Sequence, residues 1–501
     1  MTWPRRALKA AISGKSTLRP PGLSQAGRFC DLSGGSRRIR GRLVRDIILL
    51  AALLSILPLV FRAPVIGVLA WIWVALMNPQ REVFGFLSVA PLNYAIAVVT
   101  LGAWLFSRER KYSPLNPFTI FLALFGFWIS VTTYFALSPE HSQPLWERTI
   151  KTLLLVIAIP AIATTKVRLQ AVVWTVAISL GYFAVKGGAF VLVTGGHYRV
   201  LGPADSMIED NNCLGLALVM LMPLLYYLGQ TSKIKAAAMG CYAAMGLTAL
   251  AIIGTYSRGA LVAIAAMGAA FVVKRRVGVV PLALCALLVT GLPYVVPEAW
   301  FDRMTTITSA TKDESFGERL EAWKTSANLA DARPFTGGGF SATELDWIAA
   351  NYETPGSLPI GRAAHSIYFQ VLGDHGYVGL ALYLALIAAA FYNTVAVGAL
   401  ARKRAELRWA ARLADMIQIS MVGYLVGGAA LSMAYYDGFL VMLALTAALS
   451  VIVRKPAEQP SYRRAPAFEP RWAASASGRA AVAQAAGAPG PASAHFDGAK
   501  V

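Results

Sequence analysis

His365 and three arginines, Arg199, Arg258 and Arg319, are the residues of this chain whose types and placement could do chemistry. His365 opens the run His365-Ser366, which is followed after nine residues by Gly376 and then by Gly379. It closes a long polar segment, about 297–364, and opens an apolar one, 367–397. A histidine near neutral pKa can take a proton from a hydroxyl nucleophile. Guanidinium groups hold phosphate through bidentate, charge-assisted bonds and stay protonated at any working pH. Together they fit a transfer from a lipid-linked phosphate donor at a membrane surface, arginines holding the leaving group and histidine activating the acceptor.

Each of these residues also has a plain reading. His365 could only cap or anchor the start of a helix. Arg258, in Tyr256-Ser257-Arg258-Gly259, lies between two apolar runs, where an arginine faces a cavity or partner, or snorkels to the interface. Arg199 lies in a loop ending in Glu209-Asp210-Asn211-Asn212, a run that could cap the next helix. Arg319 could be an exposed helix residue. The other histidines compete poorly: His495 is in the C-terminal tail, His141 in a short loop beside Pro139 and Pro144, and His197 on a loop where it could contact substrate. His375, beside Asp374, fits packing or orientation. No His-Glu-x-x-His spacing is present, so the sequence requires no metal or other cofactor.

The surrounding sequence must position these groups in a bilayer. Of 501 residues 56% are hydrophobic and 14% charged, with mean hydropathy +0.55. A soluble domain carries about a quarter charged residues. Apolar runs long enough to cross a core about 30 Å thick recur along the chain. The fold expected is all-α, a polytopic transmembrane helical bundle of about twelve spans: 63–78, 89–106, 117–136, 149–163, 169–187, 211–229, 236–254, 258–273, 277–296, 366–398, 412–433 and 437–453. Segment 46–61 rises only about 24 Å as a helix and is left as an interfacial piece or a further span.

The net charge of +20 collects in the N-terminal segment and in short loops such as 107–111, 164–168, 233–235, 274–276 and 402–412. This is the positive-inside pattern, marking those loops as cytoplasmic and excluding nucleic acid as the partner they imply. The parity places 138–148, 187–212 and the large block 297–365 on the outer face, and both tails inside if 46–61 does not cross. Within the block, 315–331 reads as an amphipathic helix, with Arg333-Pro334 after its end. Residues 1–43 and 454–501 read as disordered tails. Four widely spaced cysteines support neither a zinc site nor a disulfide framework.

With these residues in view, the chain resembles the O-antigen ligase and polymerase superfamily over roughly 44–453. The resemblance rests on His365-Ser366 with Gly376 and Gly379, on Ser257-Arg258-Gly259, on Gly317-Glu318-Arg319 with Trp323, and on Arg333-Pro334 with Gly337-Gly338-Gly339. Met77-Asn78-Pro79-Gln80-Arg81 and Glu209-Asp210-Asn211-Asn212 look like the subgroup of exosortase-associated O-glycosylation ligases. That resemblance implies a metal-independent, inverting glycosyltransferase of the bacterial inner membrane, with its active site facing the periplasm. The donor would be a glycan on undecaprenyl pyrophosphate and the acceptor a hydroxyl on protein or lipid. His365 would be the catalytic base, and Arg258, Arg199 and Arg319 would bind the donor pyrophosphate. It also implies a start near Val44, making 1–43 an extension from a mis-assigned translation start. A repeat-unit polymerase would use the same donor and chemistry. A transporter fits less well, because the large loop has no counterpart in the first half of the chain.

Overall fold

The computed structural model describes residues 32–83, 85–109, 111, 116–275, 297–298, 300, 304, 314–354 and 360–455. The chain divides into a unit of residues 1–453 and a second of residues 454–501, the latter almost wholly outside the described residues. The span expected at 277–296 and the tails at 1–31 and 456–501 also lie outside them.

Among the described residues every regular element is a helix. Helix α1 (Leu32–Arg62) and α2 (Pro64–Met77) are joined through Ala63 alone, with Pro64 at the first helical position. Proline is tolerated there because that N–H has no helical partner. Helix α1 is already helical ahead of the boundary expected at residue 44. Its apolar part, Val44–Arg62, is 19 residues long. That exceeds the 46–61 window because the helix continues at both ends, so by length and composition it can cross a membrane.

Helix α3 (Leu92–Phe106) is shorter, and α4 (Pro117–Tyr134) starts on a capping box in which Asn116 accepts from the Thr119 N–H. Helix α5 (Pro139–Ile162) begins earlier than the span expected at 149–163. The stretch 138–148, expected as an outer-face connection, is therefore its opening turns, and His141 is helical rather than in a loop. Helix α6 (Lys166–Thr194) likewise extends past residue 187, ending on Gly195 at φ 62°. Helices α7 (Asn211–Thr231), α8 (Lys235–Gly254) and α9 (Arg258–Arg275) follow. In the large loop, α10 (Glu314–Ala332) forms where the amphipathic period predicts it, followed by the single turn α11 (Asp346–Ala349). Helices α12 (Ile367–Arg402), α13 (Arg408–Gly428) and α14 (Asp437–Arg454) complete the unit.

Seven described helices are long and apolar enough to cross a membrane: α1 over Val44–Arg62, α4, α6, α7, α8, α12 and α14. With α2 and α3 as shorter apolar helices, the chain is a multi-pass membrane protein. Helices α7 and α14 are mostly buried, whereas α1 and α8 leave most of their apolar residues uncovered. Inside a bilayer, apolar side chains gain little by leaving lipid, so helix contacts depend on close packing by small residues. Here Gly215 of α7 lets Ala260 of α9 approach, and Gly427 of α13 fits between Leu216 and Ala263. These contacts gather α7, α9 and α13 into one core.

One end of the bundle collects the connections that matter for chemistry. The Arg81 guanidinium meets Asp205 at 3.3 Å, and the Asn211 amide donates to the Thr255 carbonyl at 2.7 Å. The Leu137 N–H donates to the Gly338 carbonyl, and the His365 N–H to Ser432 Oγ at 2.7 Å. The loops between α2–α3, α4–α5, α6–α7, α8–α9, α10–α12 and α13–α14 thus share the His365 end. At the opposite end, Arg168 grips Glu109 through two 2.6 Å bonds and Arg402 meets Asp415.

Candidate functional site

His365 sits two residues ahead of α12, with φ 45° in the left-handed region that non-glycine residues seldom adopt. Its backbone is held there by the bond to Ser432, in the loop between α13 and α14. The side chain keeps an exposed edge. The protein packed around it still desolvates the imidazole, and this burial, with the Arg319 charge nearby, lowers its pKa below the ordinary histidine value. The carboxylates of Asp210 and Glu318 oppose that shift in part. The imidazole is therefore neutral near pH 7, the form that accepts a proton.

Arg319 reaches His365 because α10 lies against α12. Trp323, four residues after Arg319, stacks on Phe369, four residues after His365, with centroids 5.3 Å apart. Further along, the glycine-rich turn after α10 docks onto a break in α12. The Gly338 N–H donates to the Gly373 carbonyl at 2.9 Å, and the Gly339 N–H to the Asp374 carbonyl at 2.9 Å. The Tyr377 N–H returns a 2.8 Å bond to the Pro334 carbonyl. Gly376 takes φ 68°, and a Cβ there would stand 2.5 Å from the Pro334 oxygen. Gly379 gives way to the His375 side chain. The spacing from His365 to Gly376 and Gly379 is thus the spacing from the site to the joint that clamps the loop.

Asp374 and His375 occupy that joint, both buried. Asp374 accepts from the Ser341 N–H and the Tyr435 hydroxyl, each at 2.8 Å. His375 pairs through Nδ1 with the Thr132 hydroxyl at 2.7 Å and meets the Phe340 ring edge-on. These two residues tie the large loop to α12.

Arg258 is the first residue of α9 and half-buried. Ser257 accepts from the Ala260 N–H at 3.2 Å, fixing the helix start. Next to it, Asp210 caps α7 by accepting from the N–H groups of Asn212 and Cys213. Two helix N-termini therefore lie at this end, their positive dipole ends turned toward the site. Gly427 and Gly428 connect them to the histidine: a Cβ on Gly427 would lie 3.7 Å from the Gly259 carbonyl, and one on Gly428 would lie 3.0 Å from Ile367. The structure thus brings together His365, Arg319 and the α9 terminus that carries Arg258.

Arg199 is placed elsewhere. It is exposed and lines a cavity of about 400 Å³ with Arg81, Lys186, Phe183 and Phe190. Its neighbour Val200 is tied to the Gly254 carbonyl at 2.9 Å. Two residues of the site were not foreseen. Asp210 stands in the sequence as a cap and as part of a family motif, and its charge also reaches His365; Ser432 has no assigned part. The signal available for Ser432 was the polar and aromatic interruption 431–437 between two apolar runs.

Comparison with known families gives two matches. Residues 44–233 match a family of unknown function, DUF5935, and residues 243–384 match the O-Antigen ligase family. Arg258, Arg319 and His365 fall inside the O-Antigen ligase match, and Arg199 falls inside the match of unknown function. The match supports a membrane ligase or polymerase-like activity and the O-antigen ligase superfamily. No curated protein matches the chain.

Proposed function

We propose that the protein is a metal-independent, inverting glycosyltransferase that moves a glycan from undecaprenyl pyrophosphate to a hydroxyl on a protein or lipid, at the periplasmic face of the bacterial inner membrane. The observation that carries this reading is His365 held neutral beside Arg319, at the end where α9 opens with Arg258, all within the O-antigen ligase match. His365 takes the proton of the acceptor hydroxyl as its oxygen attacks the anomeric carbon. The bond from that carbon to the pyrophosphate oxygen breaks, its electron pair leaves with undecaprenyl pyrophosphate, and the new glycosidic bond forms on the opposite face. Arg258 and Arg319 neutralise the charge that grows on the leaving group, the kind of fixed electrostatic aid that dominates many enzymatic rate gains. Arg199 contributes a donor contact through its own cavity, where Phe183 and Phe190 give apolar walls. The subgroup resemblance favours exosortase-associated ligation over polymerisation.

The test uses full-length protein in nanodiscs with undecaprenyl-pyrophosphate-linked glycan, candidate acceptors and EDTA. Transfer by the wild type, with loss of at least about a hundredfold in His365→Ala and Arg258→Ala, is expected. Undiminished transfer in His365→Ala would remove the base role. Transfer only onto a second lipid-linked glycan would make the enzyme a polymerase.

A further inference from the structure

The Asn78-Pro79-Gln80-Arg81 motif has no part in the chemistry at His365, yet the fold builds it with care. Asn78 ends α2 at φ 50°, a left-handed cap that asparagine tolerates. Pro79 then opens a short 3-10 turn, closed by the Arg81 N–H donating to the Asn78 carbonyl at 2.9 Å. Gln80 Nε2 donates to Asn78 Oδ1 at 3.3 Å. This turn forms one wall of a cavity of about 220 Å³ whose other walls include Asn93, Arg148 and Asp437. Asp437 lies on the floor, 10% exposed, and accepts from the Thr152 hydroxyl; Arg148 is at the rim, 42% exposed.

The chemistry of this lining selects a ligand class. Its cations are already balanced: Arg81 by Asp205 at 3.3 Å, Arg148 by Asp437 at 3.7 Å, and Lys151 by Glu147 at 3.5 Å. A phosphate would find no surplus positive charge here. Three carboxamides, Asn78, Gln80 and Asn93, line the same space. The oxygens of Gln80 and Asn93 are buried without a hydrogen-bond partner, which is costly. A hydroxyl both donates and accepts, so it can satisfy a carboxamide turned either way, whereas a phosphate oxygen can only accept. At about 220 Å³ the cavity is smaller than the ~300–1,000 Å³ of drug-sized sites, so it suits one ring and not an extended chain. Asp437 stands five residues beyond Ser432, the residue that holds His365, so the cavity and the site share the α13–α14 loop.

We infer that the cavity walled by Asn78, Gln80, Asn93, Arg148 and Asp437 binds a single neutral sugar unit of a substrate, apart from the pyrophosphate-binding arginines. The inference rests on the glycosyl-transfer reading above and assigns it a sugar subsite. The sugar comes from the donor glycolipid or from the acceptor, and the experiment separates the two.

Full-length wild type, Gln80→Ala and Arg148→Gln are compared in nanodiscs; the rim variant Arg148→Gln guards against a folding defect in Gln80→Ala. The probes are undecaprenyl pyrophosphate and the donor glycolipid extracted from cells lacking this protein. A roughly tenfold loss of affinity for the glycolipid, with sugar-free lipid bound as before, assigns the cavity to the donor sugar. Unchanged glycolipid binding with a roughly tenfold rise in acceptor KM assigns it to the acceptor. Variants that match the wild type in both measurements overturn the inference. Absence of transfer by the wild type counts instead against the proposed function, and the binding arm still reads the cavity.

Discussion

Trp323 lies flat on Phe369, the ring planes 6° from parallel, and each ring stands four residues beyond a site residue, Arg319 and His365 respectively. The stack is the peg that sets the α10 face against the start of α12. An aromatic pair contributes about 0.5–1.5 kcal/mol beyond its buried area, enough to shift an arginine's preferred position but not to unfold a bundle. Trp323→Leu is expected to lower transfer by about tenfold while Trp323→Phe keeps most of it. Because Arg319 lowers the His365 pKa, the leucine variant should also move the acidic limb of the pH profile upward. A drop in rate with an unmoved limb would mean the stack only stabilises the loop.

The pH dependence itself follows from the charges around His365. The base must be neutral, so transfer falls as pH drops through its folded pKa, which burial and Arg319 hold below the ordinary value of about 6.5. Activity should then be flat around pH 7 and decline only in acid. Removing a lowering cause, in Arg319→Gln, moves the limb to higher pH. Removing a raising cause, in Asp210→Asn, moves it to lower pH, and asparagine caps α7 as well as aspartate does. Rate–pH profiles of the two variants check both signs, and limbs moving together would disprove the opposed roles.

How much of this was legible depended on the range of the interaction. The glycines at 376 and 379, the helix at α10 and the Ser257-Arg258-Gly259 start are local signals, and the structure uses each where it stands in sequence. Ser432 acts on His365 across 67 residues, and Asp210 across a gap more than twice as long, so no periodicity could announce them. Pro139 and Pro144 made 138–148 look like a loop. Pro139 instead takes the first helical position of α5, where it costs nothing, and Pro144 forfeits only one bond without ending the helix. Arg199 shares its chemistry and its loop placement with the other arginines, and only the fold shows that it lines a second cavity.

The joint at Gly376 gives a sharper expectation. A side chain there would need a left-handed backbone and would press on the carbonyls of Pro334 and Phe335, at 2.5 and 2.7 Å from its Cβ. The strain alone is on the order of 1–3 kcal/mol, before any clash. Gly376→Ala should therefore lower the thermal midpoint by several degrees and detach the 334–339 turn, raising its protease sensitivity. Gly317→Ala in α10, where a Cβ meets nothing within 4 Å, is the control and should leave both unchanged.

The last expectation concerns the direction of α1. Asp46, fully buried near its start, accepts from the Leu87 N–H at 2.8 Å, and a Cβ on Gly85 would strike its carboxylate. Leu87 belongs to the α2–α3 loop, and Arg81 of that loop meets Asp205 at the His365 end. The start of the apolar part of α1 is thus at the His365 end, and Arg62 at the other. Charge counting had put the basic stretch from Arg37 to Arg45 on the opposite face, where the other basic loops collect. The buried carboxylate overrides that count, because leaving it without its partner would cost more than a surface arginine gains. In a background with the four native cysteines replaced, single cysteines at Val44, Asn351 and Arg404 can be probed with an impermeant maleimide. Val44→Cys should label from the same side as Asn351→Cys, in the large loop, and from the side opposite Arg404→Cys. Labelling of Val44→Cys together with Arg404→Cys would mean that α1 turns back without crossing, and the Asp46–Leu87 bond would have to be given up.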